Sequence, residues 1–146
     1  MIEPVDERIA RLGSPEAHER ELALDELGDL FEAKETKDAE LRRGLLAIQK
    51  VLESETEHAV LKSALHAANA ASALGHGKLV SWGGLARTIG RFERDAQLLE
   101  YVLAILGASG QPSLAPVVAR FTDHQDEQVR GTAREALETL EALERP

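Results

Sequence analysis

The chain has 146 residues and a formal net charge of −9, contains no cysteine, and is only 3% aromatic. The missing cysteines exclude disulfide frameworks, thiolate metal sites and cysteine nucleophiles, and they fit a cytoplasmic protein. No apolar run approaches the ~18 residues of a membrane span, and the segment MIEPVDERIA is too charged for a signal peptide. A core built from Leu, Ala, Val and Ile favours packed helices over a sheet. The length predicts one domain, residues 1–146.

The negative charge is concentrated at the front of the chain. Residues 1–57 carry 16 acidic and 8 basic side chains, whereas residues 58–146 carry 10 acidic and 9 basic ones. No Asp or Glu lies between Glu57 and Glu93. Because an acidic field repels phosphate and attracts basic proteins, we expect a basic protein partner, no nucleic acid and no membrane surface.

Helix signals begin at the N-terminus. Pro4 at a first-turn position and Gly13 after Leu12 predict a short first helix. Ser14-Pro15 predicts the cap and first turn of a second helix that reaches about Ala33. The apolar positions of the second helix share one face, and its opposite face is polar. That polar face consists of His18, Leu22, Asp25, Asp29 and Glu32.

Two further helices follow in the first half. Leucine and isoleucine at alternating four- and three-residue steps predict a third helix over about residues 38–53. Ser54 or Thr56 is then the expected cap of a fourth helix, which ends at Leu74 with Gly75 as its left-handed stop. The fourth helix is rich in alanine, which lets neighbouring helices approach closely.

The second half predicts four more helices. A fifth is expected over Leu79–Ile89, although Gly83-Gly84 weakens it by about 1 kcal/mol per glycine. Asp95 starts a sixth helix. This helix is so apolar that other parts of the protein must cover it on two sides. Pro112 begins a short seventh through Phe121. The last, over about residues 125–143, has one narrow apolar stripe and a charged back, as a terminal capping repeat requires. That stripe consists of Val129, Ala133, Ala136, Leu140 and Leu143.

The last third of the chain repeats itself with a fixed period, which pairs Trp82 with Leu114 and Ala104 with Ala136. A period of this length is typical of stacked helical repeats. A second, longer offset superposes Arg20 on Arg130, and we call it the Arg20–Arg130 offset. The front helix is therefore interpreted as a diverged copy of the last one.

Residues 104–140 resemble the short HEAT-like repeat. The matching features are Leu106-Gly107, Pro116, Asp123, Val129-Arg130, Ala133 and Ala136-Leu137. The resemblance implies an all-α fold, a right-handed α-α superhelix (HEAT-like solenoid) of about seven to eight helices, and no catalytic residues. In such repeats the valine packs inward, the arginine reaches towards the inter-helix turn and the aspartate caps the next helix. We therefore expect Asp123 to cap the last helix.

No pattern in the sequence predicts chemistry. Glu55 and His58 have the Glu-x-x-His spacing of di-iron bundles, but that site needs the motif twice. We therefore expect no catalytic residue, no metal and no cofactor, and the chain is predicted not to be an enzyme. The candidate partner-binding residues are His18, Leu22, Asp25, Asp29, Glu32 and Trp82. The alternatives are a solvated helix face for the first five and a core position for Trp82.

The leading functional hypothesis is a protein-binding module. Compact acidic solenoids of this size resemble immunity proteins of bacterial toxin systems, which block toxins that are often basic nucleases. Other short HEAT-like proteins act as bilin lyases or recognise alkylated DNA, and a scaffold subunit is a further alternative. Trp82 and Tyr101 are the only residues that hint at a cofactor pocket, and the cations of the acid-free middle are a weak form of the basic surface that DNA needs.

Overall fold

The computed structural model describes residues 2–145, which contain eight α-helices, three short 3-10 helices and no strand. The prediction of an all-α fold with about seven to eight helices is confirmed. The α-helices are α1 (Pro4–Arg11), α2 (Ala17–Glu32), α3 (Asp38–Ser54), α4 (His58–Ala73), α5 (Gly83–Arg87), α6 (Ala96–Gly107), α7 (Ala115–Ala119) and α8 (Glu127–Ala142). The 3-10 helices span His76–Leu79, Ile89–Phe92 and Pro112–Leu114. Among the described residues, no helix is both long enough and apolar enough to cross a bilayer.

The contacts within the chain group into two compact units, one up to Val80 and one from Ser81 onward. The single domain expected over residues 1–146 and the handedness of the expected superhelix stay predictions.

In the first unit, α1 packs against α2 and α3, and α2 packs along α4. The apolar face predicted for α2 is buried at Ala23, Leu24, Leu27 and Phe31. The α2–α4 contact is close because small side chains meet there: a Cβ built on Gly28 would lie 3.6 Å from the Cβ of Ala67. The alanine-rich α4 therefore works as its composition predicts, by allowing a neighbouring backbone to approach. Helix α4 ends before Gly75, whose φ of 88° is left-handed as expected.

In the second unit, α8 packs along α6 and also contacts α7. Helix α6 buries most of its apolar residues, and α8 buries the predicted stripe from Val129 to Leu140. Leu143 was expected to continue this stripe, but it lies beyond the end of α8 and is 50% exposed. The stripe is thus one turn shorter than the spacing predicts, because the helix stops before its last leucine.

The predicted fifth helix over Leu79–Ile89 is wrong in its length. The chain is extended at Val80, with φ −132° and ψ 158°, and α5 is a single turn that begins at Gly83. The amide of Trp82 donates to Oε1 of Gln111 at 3.0 Å. Gly83 and Gly84 both lie inside α5, so the predicted helix is missing before them, where the chain is extended at Val80, and after Arg87, where α5 ends.

The predicted caps of α8 and α4 are wrong, whereas that of α6 is confirmed. The carboxylate of Asp126, and not that of Asp123, accepts from the amide of Val129 at the start of α8. Neither Ser54 nor Thr56 caps α4. Ser54 still belongs to α3, and Glu57, not Thr56, directly precedes α4. At the start of α6, Asp95 accepts from the amide of Leu98 as expected. A carboxylate caps a helix only when it directly precedes the first helical residue, and the sequence leaves that register open by a few positions.

The predicted cap of the second helix, Ser14, is also displaced from the helix that it was expected to begin. Helix α2 begins three residues later, at Ala17. The Ser14 hydroxyl instead accepts from the amide of Glu16 at 3.1 Å. Ser14 therefore organises the turn before α2 and does not cap the helix directly.

Helices α2 and α8 are equivalent in detail. Both have 16 residues, and the Arg20–Arg130 offset superposes their first residues and also their last residues. Nη1 of Arg20 donates to the carbonyl of Ser14 at 2.9 Å, and Nη1 of Arg130 donates to the carbonyl of His124 at 3.0 Å. The arginine at the fourth position of each helix thus binds the turn before it. The relation that the offset predicts between the two arginines is present in the structure.

Candidate functional site

The exposed face of α2 forms one continuous stripe, which we call the α2 stripe and define as His18, Leu22, Asp25, Asp29 and Glu32. All five side chains are exposed, and Leu22 is one of the few large apolar residues with a free surface, at 38%. Steps of four and three residues place them in line along the helix. The three carboxylates lie within two turns, about 10 Å along the helix axis.

The other acidic side chains of α1 and α2 are largely neutralised by arginine. Glu26 pairs with Nη2 of Arg8 at 3.0 Å and with Nη1 of Arg11 at 2.9 Å. The hydrogen bond from Arg11, with a smaller contribution from Arg8, lowers the pKa of Glu26. Glu26 thus faces α1, although it directly follows Asp25 in the sequence.

The carboxylates of the α2 stripe differ from Glu26 in this respect. Within residues 2–145, Asp25, Asp29 and Glu32 form no ion pair. The uncompensated negative charge of the first unit therefore includes this line of three carboxylates. Charges that are neither paired nor buried produce the field that an approaching partner meets first.

A shallow groove of about 260 Å³ runs between the α2 stripe and α4. Its α2 wall carries Asp25, Asp29 and Glu32, and its α4 wall carries Ser63 and His66. The floor is made of small residues, Gly28, Ala67 and Ala70, because the two helices approach closely there. A neighbouring depression adds Glu21 and Lys62 to the rim. The arrangement can bind cationic or hydrogen-bonding side chains along one carboxylate wall.

The α4 wall of this groove was not found from the sequence. The signal was present, since Lys62 and His66 are four residues apart and share one helix face. This spacing indicates a groove wall only once α2 is known to pack along α4. That packing is a tertiary contact, which the sequence alone does not reveal.

Trp82 does not belong to the α2 stripe or to any exposed surface. Its side chain is fully buried, and Leu114, the position with which the repeat pairs it, is also buried at 6% exposure. The expectation of an aromatic anchor at Trp82 is therefore corrected to a core position. A buried indole excludes water from its surroundings but offers no surface to a partner.

The Glu-x-x-His motif has a different role from metal binding. Both carboxylate oxygens of Glu55 are occupied by Arg20, at 2.7 Å from Nε and 3.0 Å from Nη2. Oε2 of Glu55 also accepts from the amides of Thr56 and Glu57. Within residues 2–145, no three His, Asp or Glu side chains gather in a way that could hold a metal ion.

Comparison with known proteins identifies the fold. No family model and no curated protein matches the chain. Among solved structures, it is similar to an engineered protein, Northeast Structural Genomics Consortium target OR329, with a TM-score of 0.74 and 18% identity over 95% of this chain and 63% of the other. A second engineered protein of the same consortium, target OR497, has a TM-score of 0.73 and 18% identity over 94% of this chain and 37% of the other. The chain thus spans less than two thirds of either protein. These similarities support an all-helical, repeat-like fold.

Proposed function

We propose that this chain is a non-enzymatic protein-binding module that docks a basic protein partner through the α2 stripe. The single observation that carries the proposal is the line formed by Asp25, Asp29 and Glu32, exposed and without ion pairs among the described residues. The adjoining groove and the exposed Leu22 provide shape and apolar area beside the charge. Charge of this kind speeds the encounter with an oppositely charged partner and orients it.

The more specific proposal is a HEAT-like repeat protein of the immunity type, which would bind and neutralise a cognate toxin. Val129 is fully buried, and Arg130 binds the carbonyl of His124 in the preceding turn, as that repeat requires. The equivalent bond from Arg20 to Ser14 supports a second copy of the same pattern. The acidic stripe suits the basic nucleases that immunity proteins of this kind block.

In the proposed mechanism, one set of residues speeds association with the partner and another set keeps the partner bound. The three carboxylates would accelerate association, since long-range attraction changes mainly the association rate. Retention would depend on contacts that lose water, and Leu22 with the groove floor at Gly28 and Ala67 provides the apolar part. The association rate should then fall steeply as salt rises, because exposed charges more than ~10 Å apart are screened at about 0.1 M salt.

The proposal is tested with two variants of equal charge. One replaces the stripe carboxylates (Asp25→Asn, Asp29→Asn, Glu32→Gln), and the other replaces three exposed carboxylates of α8 (Glu127→Gln, Glu138→Gln, Glu141→Gln). Each removes three negative charges from the formal net charge of −9. The native chain and both variants are immobilised, and proteins captured from an extract of the native cells are quantified by mass spectrometry.

The expected result is a basic protein that the native chain and the α8 variant capture equally and the stripe variant captures much less. With the purified partner, the association rate of the native chain should fall more steeply with salt than that of the stripe variant. Equal capture by all three chains, or a rate that does not respond to salt, would contradict docking at the α2 stripe. The immunity-type proposal further requires that the captured protein be a toxin whose activity the native chain suppresses.

A further inference from the structure

The turns that lead into α2 and α8 have the same hydrogen bonds but a different acceptor. Before α2, the hydroxyl oxygen of Ser14 accepts from the amide of Glu16 at 3.1 Å. At the equivalent position before α8, Nδ1 of His124 accepts from the amide of Asp126 at 3.0 Å. In both turns the second residue of this pair directly precedes the helix. A side chain two positions ahead thus holds the amide of the residue before the helix in each unit.

The two acceptors respond differently to pH. A serine hydroxyl keeps its lone pairs across the whole physiological range. An imidazole nitrogen accepts a hydrogen bond only while it is unprotonated, and histidine changes charge between about pH 5 and 8. Protonation of Nδ1 in His124 therefore removes the acceptor and places two N–H donors against each other. The equivalent event cannot occur at Ser14.

One cation, Arg130, contacts His124 directly. Nη1 of Arg130 donates to the backbone carbonyl of His124 at 3.0 Å. The ring of Phe121 lies 6.4 Å from the imidazole, and the guanidinium of Arg120 lies 5.4 Å from the Phe121 centroid. Arg130 comes from α8 and contacts His124 directly, whereas Arg120, at the end of α7, contacts Phe121 and pairs with Glu93 at 3.1 Å.

The neighbouring carboxylates attract a charged imidazole, but both have other partners. Asp126 accepts from the amide of Val129 at 3.1 Å, and Asp123 pairs with Nη2 of Arg134 at 3.4 Å. If the imidazolium attracts the Asp126 carboxylate, that attraction competes with the helix cap.

We propose that the turn before α8 is a pH-sensitive switch, in which protonation of His124 releases the amide of Asp126 and loosens the first turn of α8. The turn before α2, where Ser14 provides the acceptor, keeps its hydrogen bond to the amide of Glu16 over the same pH range. The second unit thus carries a conformational response to mild acid that the first unit lacks.

The test follows backbone amides of the full chain by NMR between pH 8 and pH 5. The exchange protection of the Asp126 amide, corrected for the intrinsic rate, should fall by roughly two- to tenfold, the effect of losing one hydrogen bond. Its midpoint should coincide with the titration of the His124 ring. The Glu16 amide in the same sample is the internal control and should keep its protection.

The variant His124→Ser gives the turn before α8 the same type of hydrogen-bond acceptor that Ser14 provides before α2. Its Asp126 amide should remain protected down to pH 5, as the Glu16 amide does in the native chain. An Asp126 amide that does not respond to pH in the native chain would overturn the proposal. So would an identical response in His124→Ser, because the carboxylates and not the imidazole would then be responsible.

Discussion

Arg20 and Glu55 form a two-pronged ion pair that ties α2 to the start of α4. Nε and Nη2 of Arg20 donate to the two oxygens of the Glu55 carboxylate at 2.7 and 3.0 Å, and both side chains are largely shielded from water. Glu55 also accepts from the amides of Thr56 and Glu57, which precede α4. Arg20 binds the turn before α2 as well. One arginine and one carboxylate thus join the N-terminal ends of two helices that pack together.

Removing the charge of Glu55 should destabilise the first unit. The substitution Glu55→Gln keeps the size of the side chain but leaves the Arg20 guanidinium without its counter-charge. We expect the free energy of unfolding to fall by about 1.5–3 kcal/mol, as for other hydrogen bonds to charged groups. Urea denaturation followed by circular dichroism measures this change.

The exposed ion pair between Glu93 and Arg120 is the matched control. It has a similar distance, 3.1 Å, but both side chains are about half exposed. Glu93→Gln should therefore change stability by less than about 0.5 kcal/mol. Equal effects of the two substitutions would show that shielding of the Arg20–Glu55 pair adds nothing to its strength.

The same pair predicts how stability depends on pH. Hydrogen bonding to Arg20 lowers the pKa of Glu55, and hydrogen bonding to Arg11 lowers the pKa of Glu26. Because the unfolded chain then binds protons more readily than the folded one, acid favours unfolding. The stabilisation from these two groups is complete above the ordinary carboxyl pKa of 4.5 and is lost as pH falls below it towards the lowered values. Urea titrations at successive pH values should show this loss, and Glu55→Gln should reduce its slope. An unchanged slope would contradict the assignment.

The sequence predicts most of the fold because its helix boundaries depend on local signals. Asp95, Gly75 and the leucine spacing of α3 act within a few residues, and each is found where it was expected. The equivalence of Arg20 and Arg130 was also predictable, because the offset that superposes them is visible in the sequence alone.

What the sequence did not predict depends on contacts between distant residues. The single Glu-x-x-His motif is reason to reject Glu55 as a metal ligand, but the sequence does not reveal that Glu55 pairs with Arg20, 35 residues away. Trp82 was considered as an anchor and is fully buried. The α2 stripe itself follows from helical spacing, but its isolation from arginines follows only from the pairing of Glu26 with α1. Composition shows how much charge a helix carries and leaves open which charges are paired.

Substitution of two aspartates, three residues apart, tests which of them caps α8. Asp126 accepts from the amide of Val129, so Asp126→Ala should cost about 1 kcal/mol of stability. Asp123 is 96% exposed on its side chain, and its only ion pair is to the exposed Arg134 among the described residues. Asp123→Ala should therefore change stability by less than about 0.5 kcal/mol. Thermal melts of the two variants compare them directly, and a larger effect at Asp123 would return the cap to that residue.

Two glycines at helix contacts should respond in opposite ways to the same substitution. A Cβ on Gly107 would lie 2.6 Å from the Cβ and 2.9 Å from the Cα of Ala136, so α6 and α8 would have to separate. A Cβ on Gly28 would lie 3.6 Å from the Cβ of Ala67, which is ordinary contact. Gly107→Ala should cost about 1–3 kcal/mol through overpacking. Gly28→Ala should be neutral or stabilising by up to about 1 kcal/mol, because alanine favours the helix. Urea denaturation distinguishes the two, and a destabilised Gly28→Ala with an unaffected Gly107→Ala would mean that the α2–α4 contact, and not the α6–α8 contact, is the tighter one.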